Sequence, residues 1–231
     1  RASVPKPTLP PLLVGGSALV IEKDALFQAV RCTKSFAAPG KTGWTKELLL
    51  GVHSNAAVSD VLLALTNSIL NNGLRQSEAR LIRTAAGIAF QQSSKLRTCG
   101  LRDFLLKMAW RAAFNHTSMS YLFSPAQTMG VKQGTMLAAR WVQQQLDNNR
   151  PVVLADAVNA HPSFDRHMLW EMLQSNADKL SPLFELFNFT YAEPTLLRAY
   201  DSAGNASFLV EIVRGQLQGC TSAGPAFCAL Q

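Results

Sequence analysis

Pro151 divides the middle of this chain into two kinds of periodicity. Before it, Gly134 to Asp147 repeats apolar residues at helical spacing, and Leu137, Ala138, Trp141 and Val142 are expected to point inward. After it, "VVLAD" (152–156) is a β-branched, apolar run that predicts a short buried strand ending on Asp156. A turn holding Pro162 follows, then a helix over 165–174 packed by Met168, Leu169 and Met172. Proline lacks the amide hydrogen a helix interior needs, so the two patterns cannot merge into one helix. A chain that alternates in this way is α+β, mostly helical, with a small antiparallel sheet.

The remaining segments fit that class. Residues 1–16 carry Pro5, Pro7, Pro10 and Pro11 and read as an extended arm or a disordered leader, and 1–54 as arm and linker. A helix is predicted from Asn55, capped by Ser59, with Val61, Leu62, Leu65 and Ile69 on one face and Gly73 at its end. Residues 77–90 read as a second helix, or as a helix followed by a strand. Leu101, Phe104, Leu105, Met108 and Ala112 mark a clear amphipathic helix. "SPLFELFNFTY" is a further short helix, "DSAGN" a turn, "ASFLVEIVRG" a strand, and "QLQGCTSAGPAFCALQ" a Gly-rich loop opening a last helix. The 55–231 portion is expected to be one domain.

The 231 residues are 48% hydrophobic and 16% charged, which excludes a disordered chain and supplies a real core. The longest apolar candidate, Leu12 to Ile21, is broken by Gly15, Gly16 and Ser17, so no membrane insertion is expected. The net charge of +7 is spread without a Lys/Arg block and suits a polyanion such as RNA. Cys32, Cys99, Cys220 and Cys228 form no CxxC pair, and no His stands at zinc-ligand spacing, so free thiols, no metal and no cofactor are expected. Asn-x-Ser/Thr triplets at Asn115, Asn188 and Asn205 are read as chance occurrences. A start at Arg1 rather than Met is compatible with a removed organelle transit peptide, and a mitochondrial or other organellar, intracellular location is the expectation.

Four motifs occur in a fixed order. "FSPAQTMGVKQG" carries Phe123, Pro125, Gln127, Gly130 and Gly134. "DAVNAHPSFDR" carries Asp156, Asn159, Ala160, Ser163 and Arg166. "GQLQGCTSAGP" carries Gly215, Gln218, Gly219 and Pro225, with one extra residue before Gly224-Pro225. Upstream lies "KLRTCGLRDFLLKMAW". Their order and spacing resemble the reverse transcriptases of non-long-terminal-repeat retrotransposons, over about residues 55–231. The resemblance implies partial polymerase-like fingers and palm. In that family the palm carries one Asp on its first strand and an Asp pair in Tyr-x-Asp-Asp, together holding two metal ions for nucleotidyl transfer.

The departures fall on that chemistry. No Asp-Asp dipeptide occurs, and the chain stops at Gln231, where the family's sequence runs on towards Tyr-x-Asp-Asp. The family's Phe after Asn-Ala is His161, the next Asn is Pro162, and the acidic residue after Gln-Gly is Cys220. The Lys facing the triphosphate falls near Gln91, and the Pro-Ile after Arg97 is Thr98-Cys99. Asp156 therefore reads as a vestigial ligand, or as a strand-end or capping carboxylate. Arg80, Arg83, Arg97, Arg102, Lys107, Gln218 and Gly219 are candidate RNA contacts, set against solvated faces and ordinary turns. Trp110, Trp141 and Trp170 sit at core spacing, with base stacking as the rarer use. The leading expectation is a degenerate, non-catalytic reverse-transcriptase-like domain serving as a structural and RNA-binding subunit of a larger ribonucleoprotein, an organelle ribosome being one case, with structured RNA and other protein subunits as partners. A fragment of a functional RNA-directed DNA polymerase completed by another segment, and a scaffold of a non-RNA complex, are the alternatives.

Overall fold

A computed structural model of the chain describes residues 8–92, 95–124, 127, 133–153, 160–200, 206–217 and 220–230. Helices α1 (Lys23–Arg31), α2 (Lys46–Gly51), α3 (Ala56–Leu70) and α4 (Gln76–Arg83) lead into a hairpin of β1 (Ala85–Gln92) and β2 (Lys95–Leu101). Helices α5 (Phe104–His116), α6 (Gly134–Asp147), the single turn α7 (Ala160–Ser163), α8 (Arg166–Ser175) and α9 (Ala177–Tyr191) follow. Strands β3 (Thr195–Tyr200) and β4 (Ala206–Ile212) form a second hairpin, and α10 (Ala223–Ala229) comes last. The class is α+β, as expected.

The sheet has the order β2-β1-β3-β4. Both hairpins are antiparallel, but β1 and β3 run parallel, with Ala85 opposite Leu197 and Ala86 opposite Arg198. The sheet is mixed rather than purely antiparallel, because the long helical excursion between β2 and β3 returns the chain to the β1 edge in the same direction. Among residues 151–153 no strand forms; the rest of the expected "VVLAD" strand, Asp156 included, lies outside the described residues.

The core is helical and α5 is its axis. Phe104, Leu105, Leu106, Met108, Ala109, Trp110, Ala112 and Ala113 are all buried, so α5 is apolar on most of its circumference, as a central helix must be. It packs against α1, α3 and α9. Trp110 meets Phe187 of α9 edge-on, with centroids 4.7 Å apart, and stacks on Phe114 at 5.2 Å. Trp170 reaches the same Phe187 at 5.8 Å.

The expected boundary near residue 54 does not appear in the packing. Leu13, Leu19, Ile21, Leu26, Phe27 and Leu49 belong to the same core as Leu62, Trp110 and Phe187. Residues 8–21 run extended over α3 and α9, held by three asparagines that each bond both backbone groups of one residue. The Leu13 amide donates to Asn188 Oδ1 at 2.9 Å, and Asn188 Nδ2 donates to the Leu13 carbonyl at 2.9 Å. Asn71 does the same to Leu19 at 2.9 and 2.8 Å, and Asn67 to Ile21 at 3.0 and 3.2 Å. A carboxamide has one donor face and one acceptor face, so it completes a strand's hydrogen bonds without a neighbouring strand. Asn188 is 3% exposed, which removes it as a glycan acceptor in the folded chain.

Local details shift for physical reasons. Asn55, not Ser59, caps α3, accepting from the Val58 amide at 3.1 Å; Ser59 is buried and donates to the His53 carbonyl at 2.9 Å. Val61 is 66% exposed while Leu62 and Ile69 are buried. Helix α6 forms as expected but buries only Gly134, leaving Leu137 and Trp141 43% and 58% exposed. Met168 likewise faces outward, while Leu169 and Leu173 fill the interior.

Candidate nucleic-acid interface

One open cleft of about 230 Å³ lies between α4 and the β3–β4 hairpin, and Lys41, Arg80 and Arg198 converge on it. Ser77 adds a hydroxyl, and Leu81, Leu196 and Leu209 form its apolar walls. The arrangement follows from two periodicities. Ser77, Arg80 and Leu81 stand at i, i+3 and i+4 on one face of α4, and Thr84 is its C-cap. Leu196 and Arg198 are two apart on β3 and share a sheet face, and Leu209 is the direct partner of Arg198 on β4. Glu211 shares that face opposite Leu196 and does not line the cleft. Among the described residues none of the three cations is in an ion pair.

Each cation is positioned by buried structure. Lys41 sits on a loop pressed against the start of α5. A Cβ at Gly40 would lie 2.2 Å from Asp103 Cα, so only glycine permits the approach. The Thr42 amide donates to Asp103 Oδ2 at 2.9 Å, while Asp103 Oδ1 caps α5 through the Leu105 amide at 3.0 Å. One carboxylate thus starts a helix and anchors the loop that presents Lys41. Arg80 rides on α4, which the Arg75–Glu78 pair closes at its first turn. At the other end, Thr84 Oγ1 donates to the Arg80 carbonyl at 2.7 Å and Arg102 Nη1 to the Arg83 carbonyl at 2.7 Å. A cation on the last carbonyls opposes the negative end of the helix dipole.

Two further guanidinium groups are buried in the interior. Arg102 is 0% and Arg166 1% exposed. Both donate to Thr195 Oγ1, at 3.1 and 3.2 Å, and both stack on Tyr191, 5.6 and 5.1 Å from its ring centroid. Arg166 also donates to the carbonyls of Gly215, Tyr191, Glu193 and Ile212. It therefore ties α8 to the end of α9, the β4 terminus and the turn before α10. Burial pushes its guanidinium down to about 10. The Tyr191 hydroxyl sits 2.7 Å from Ser222 Oγ and 2.9 Å from Cys220 Sγ, and burial holds its phenol well above the ordinary value.

The residues picked out in the sequence separate accordingly. Arg80 lines the cleft. Arg83 turns away, donating to Glu193 Oε2 at 2.9 Å and lying over the Phe189 ring. Arg102 is interior, because its guanidinium is the cap of α4, and it presents nothing to a phosphate. Lys107 is half-buried, and burial pushes its ammonium below the ordinary value while Asp103 opposes the shift. Arg97 pairs with Phe90 in the β1–β2 ladder. Asp156, Gln218 and Gly219 lie outside the described residues. Trp110 and Trp170 are core, whereas Trp141 is exposed. Sequence reading missed Lys41 and Arg198: one is a lone loop lysine and the other a lone strand arginine, and only the parallel β1–β3 pairing brings β3 beside α4. The Gly40 contact gives no signal beyond a glycine in a loop.

Among the described residues no group of three His, Cys, Asp or Glu side chains converges as a metal site. No helix there is long and apolar enough to cross a membrane. No family model matches this chain, and none of the curated proteins does.

Proposed function

We propose that this chain is a non-catalytic, reverse-transcriptase-derived RNA-binding subunit of a larger ribonucleoprotein, with an organelle ribosome as one such particle. The observation that carries RNA binding is the convergence of Lys41, Arg80 and Arg198 on one cleft. Together with a net charge of +7, it gives a polyanion a defined place to dock. Descent from reverse transcriptases is supported by the order and spacing of the four motifs. Loss of polymerase chemistry is supported by substitutions inside the motifs: His161, Pro162 and Cys220 stand where the family carries Phe, Asn and an acidic residue.

Binding of a structured RNA, followed by fluorescence anisotropy across a salt series, tests the proposal. Affinity should fall steeply and log-linearly as salt rises. Affinity that is absent, or indifferent to salt, would overturn it. The spacing Asp156, Asn159, Ala160, Ser163, Arg166 favours a second reading, a portion of a working polymerase. Primer extension with Mg²⁺ by the full-length protein separates the two, since the first predicts no product.

A further inference from the structure

We infer that the cleft between α4 and the β3–β4 hairpin seats the phosphodiester backbone of an RNA strand and grips it without reading its bases. This rests on the RNA-binding reading above and names the place and manner of contact.

Three features carry it. First, two of the three cations are arginines, whose planar fork matches the paired oxygens of a phosphate, and Ser77 adds a hydroxyl group beside them. Among the described residues no carboxylate lines the cleft to neutralise them. Second, the volume of about 230 Å³ lies below the roughly 300 Å³ at which enclosed small-molecule pockets begin, and the cleft is open. Such a shape suits a strand passing across it better than a nucleotide held within it. Third, among the described residues the lining holds no aromatic ring and no Asn or Gln. It therefore offers no aromatic platform for a base and no amide edge for adenine, and the two arginines that could reach a guanine edge are the groups that meet the phosphates. Leu81 and Leu209, 47% and 45% exposed, offer apolar surface to a sugar edge instead.

The test compares two double variants of equal charge change. Arg80→Gln/Arg198→Gln strips the cleft, and Arg140→Gln/Arg150→Gln removes one arginine of α6 and one three residues past its end, neither of which lines the cleft. Binding of single-stranded oligo(U) and oligo(A) of equal length is measured for both and for the wild type over a salt series. The cleft variant should lose about tenfold in affinity equally for both sequences, and its log–log salt slope should shrink by roughly 1. The α6 variant should follow the wild type. Lys41→Gln, on an exposed loop, should give a smaller loss in the same sense and covers the case in which the double variant fails to fold.

Several results overturn the inference while leaving RNA binding intact: equal losses in the two double variants, no loss in the cleft variant, or a loss confined to one sequence. Equal retention of polyglutamate by the wild type overturns the phosphate assignment. A wild type that binds neither oligonucleotide nor structured RNA overturns both this inference and the reading beneath it.

Discussion

Tyr191 lies between the guanidinium groups of Arg102 and Arg166, with its hydroxyl on Ser222 and Cys220. Burial disfavours its phenolate, so the folded pKa stands above the unfolded one. The resulting stabilisation is complete below pH about 10 and is lost as pH rises further, because only the unfolded chain then gives up the proton. Arg166 works in the opposite sense. Its pKa is lowered to about 10, so above that pH the unfolded chain binds the proton more tightly, and this contribution rises towards its ordinary value. Comparison of the wild type with Tyr191→Phe removes the phenol together with its coupling to Arg166, which the phenolate would hold charged. At neutral pH the variant should be less stable by about 1 kcal/mol, the worth of the lost hydroxyl bond. Above pH about 10 the gap should close at up to the order of 1 kcal/mol per pH unit. Urea denaturation at several alkaline pH values checks this; parallel pH profiles for the two proteins would refute it.

At the scale of elements, α5 and α6 are opposites built from similar letters. Both show apolar residues at helical spacing, and both carry a tryptophan near the middle. Trp110 is fully buried against Phe114 and Phe187, whereas Trp141 is 58% exposed. Trp110→Ala should therefore cost roughly 3–5 kcal/mol, the range for emptying a buried aromatic site. Trp141→Ala should stay within about 0.5 kcal/mol, as surface changes do. Chemical denaturation of the two variants measures both, and equal losses would contradict the packing. Spacing made the helices legible, since period alone specifies a helix. It could not say which face meets the body, because that depends on what packs beside the helix. The β1–β2 hairpin was only half legible for a related reason: "AAGIAFQQ" lacks strong alternation, and its strands exist through their pairing.

At the scale of the molecule, the extended 8–21 segment is part of the fold. Its Leu13, Leu19 and Ile21 fill the core, and Asn67, Asn71 and Asn188 stand in for the strand it lacks. Asn188→Ala strips the partners of both the Leu13 amide and carbonyl in a buried site. The expected loss is roughly 2–4 kcal/mol, with the two unsatisfied groups dominating. Asn188→Asp keeps the acceptor but removes the donor and buries a charge against the Leu13 carbonyl, so at neutral pH it should lose at least as much. Thermal melts of the two variants give the order, and an unchanged melting temperature for Asn188→Ala would show that the segment is not anchored there.

The sequence by itself determined the class, the existence of most helices, the basic balance and the ordered motifs that resemble reverse transcriptases, because these depend on composition and on residues close along the chain. Tertiary structure alone decided which charges are available. Arg80 and Arg102 look alike in sequence, yet one faces a cleft and the other caps a helix from the interior. Lys41 and Arg198 become neighbours of Arg80 only after a loop presses on Asp103 and β3 pairs with β1. The cleft joins residues more than a hundred positions apart, and nothing local in the sequence encodes that meeting.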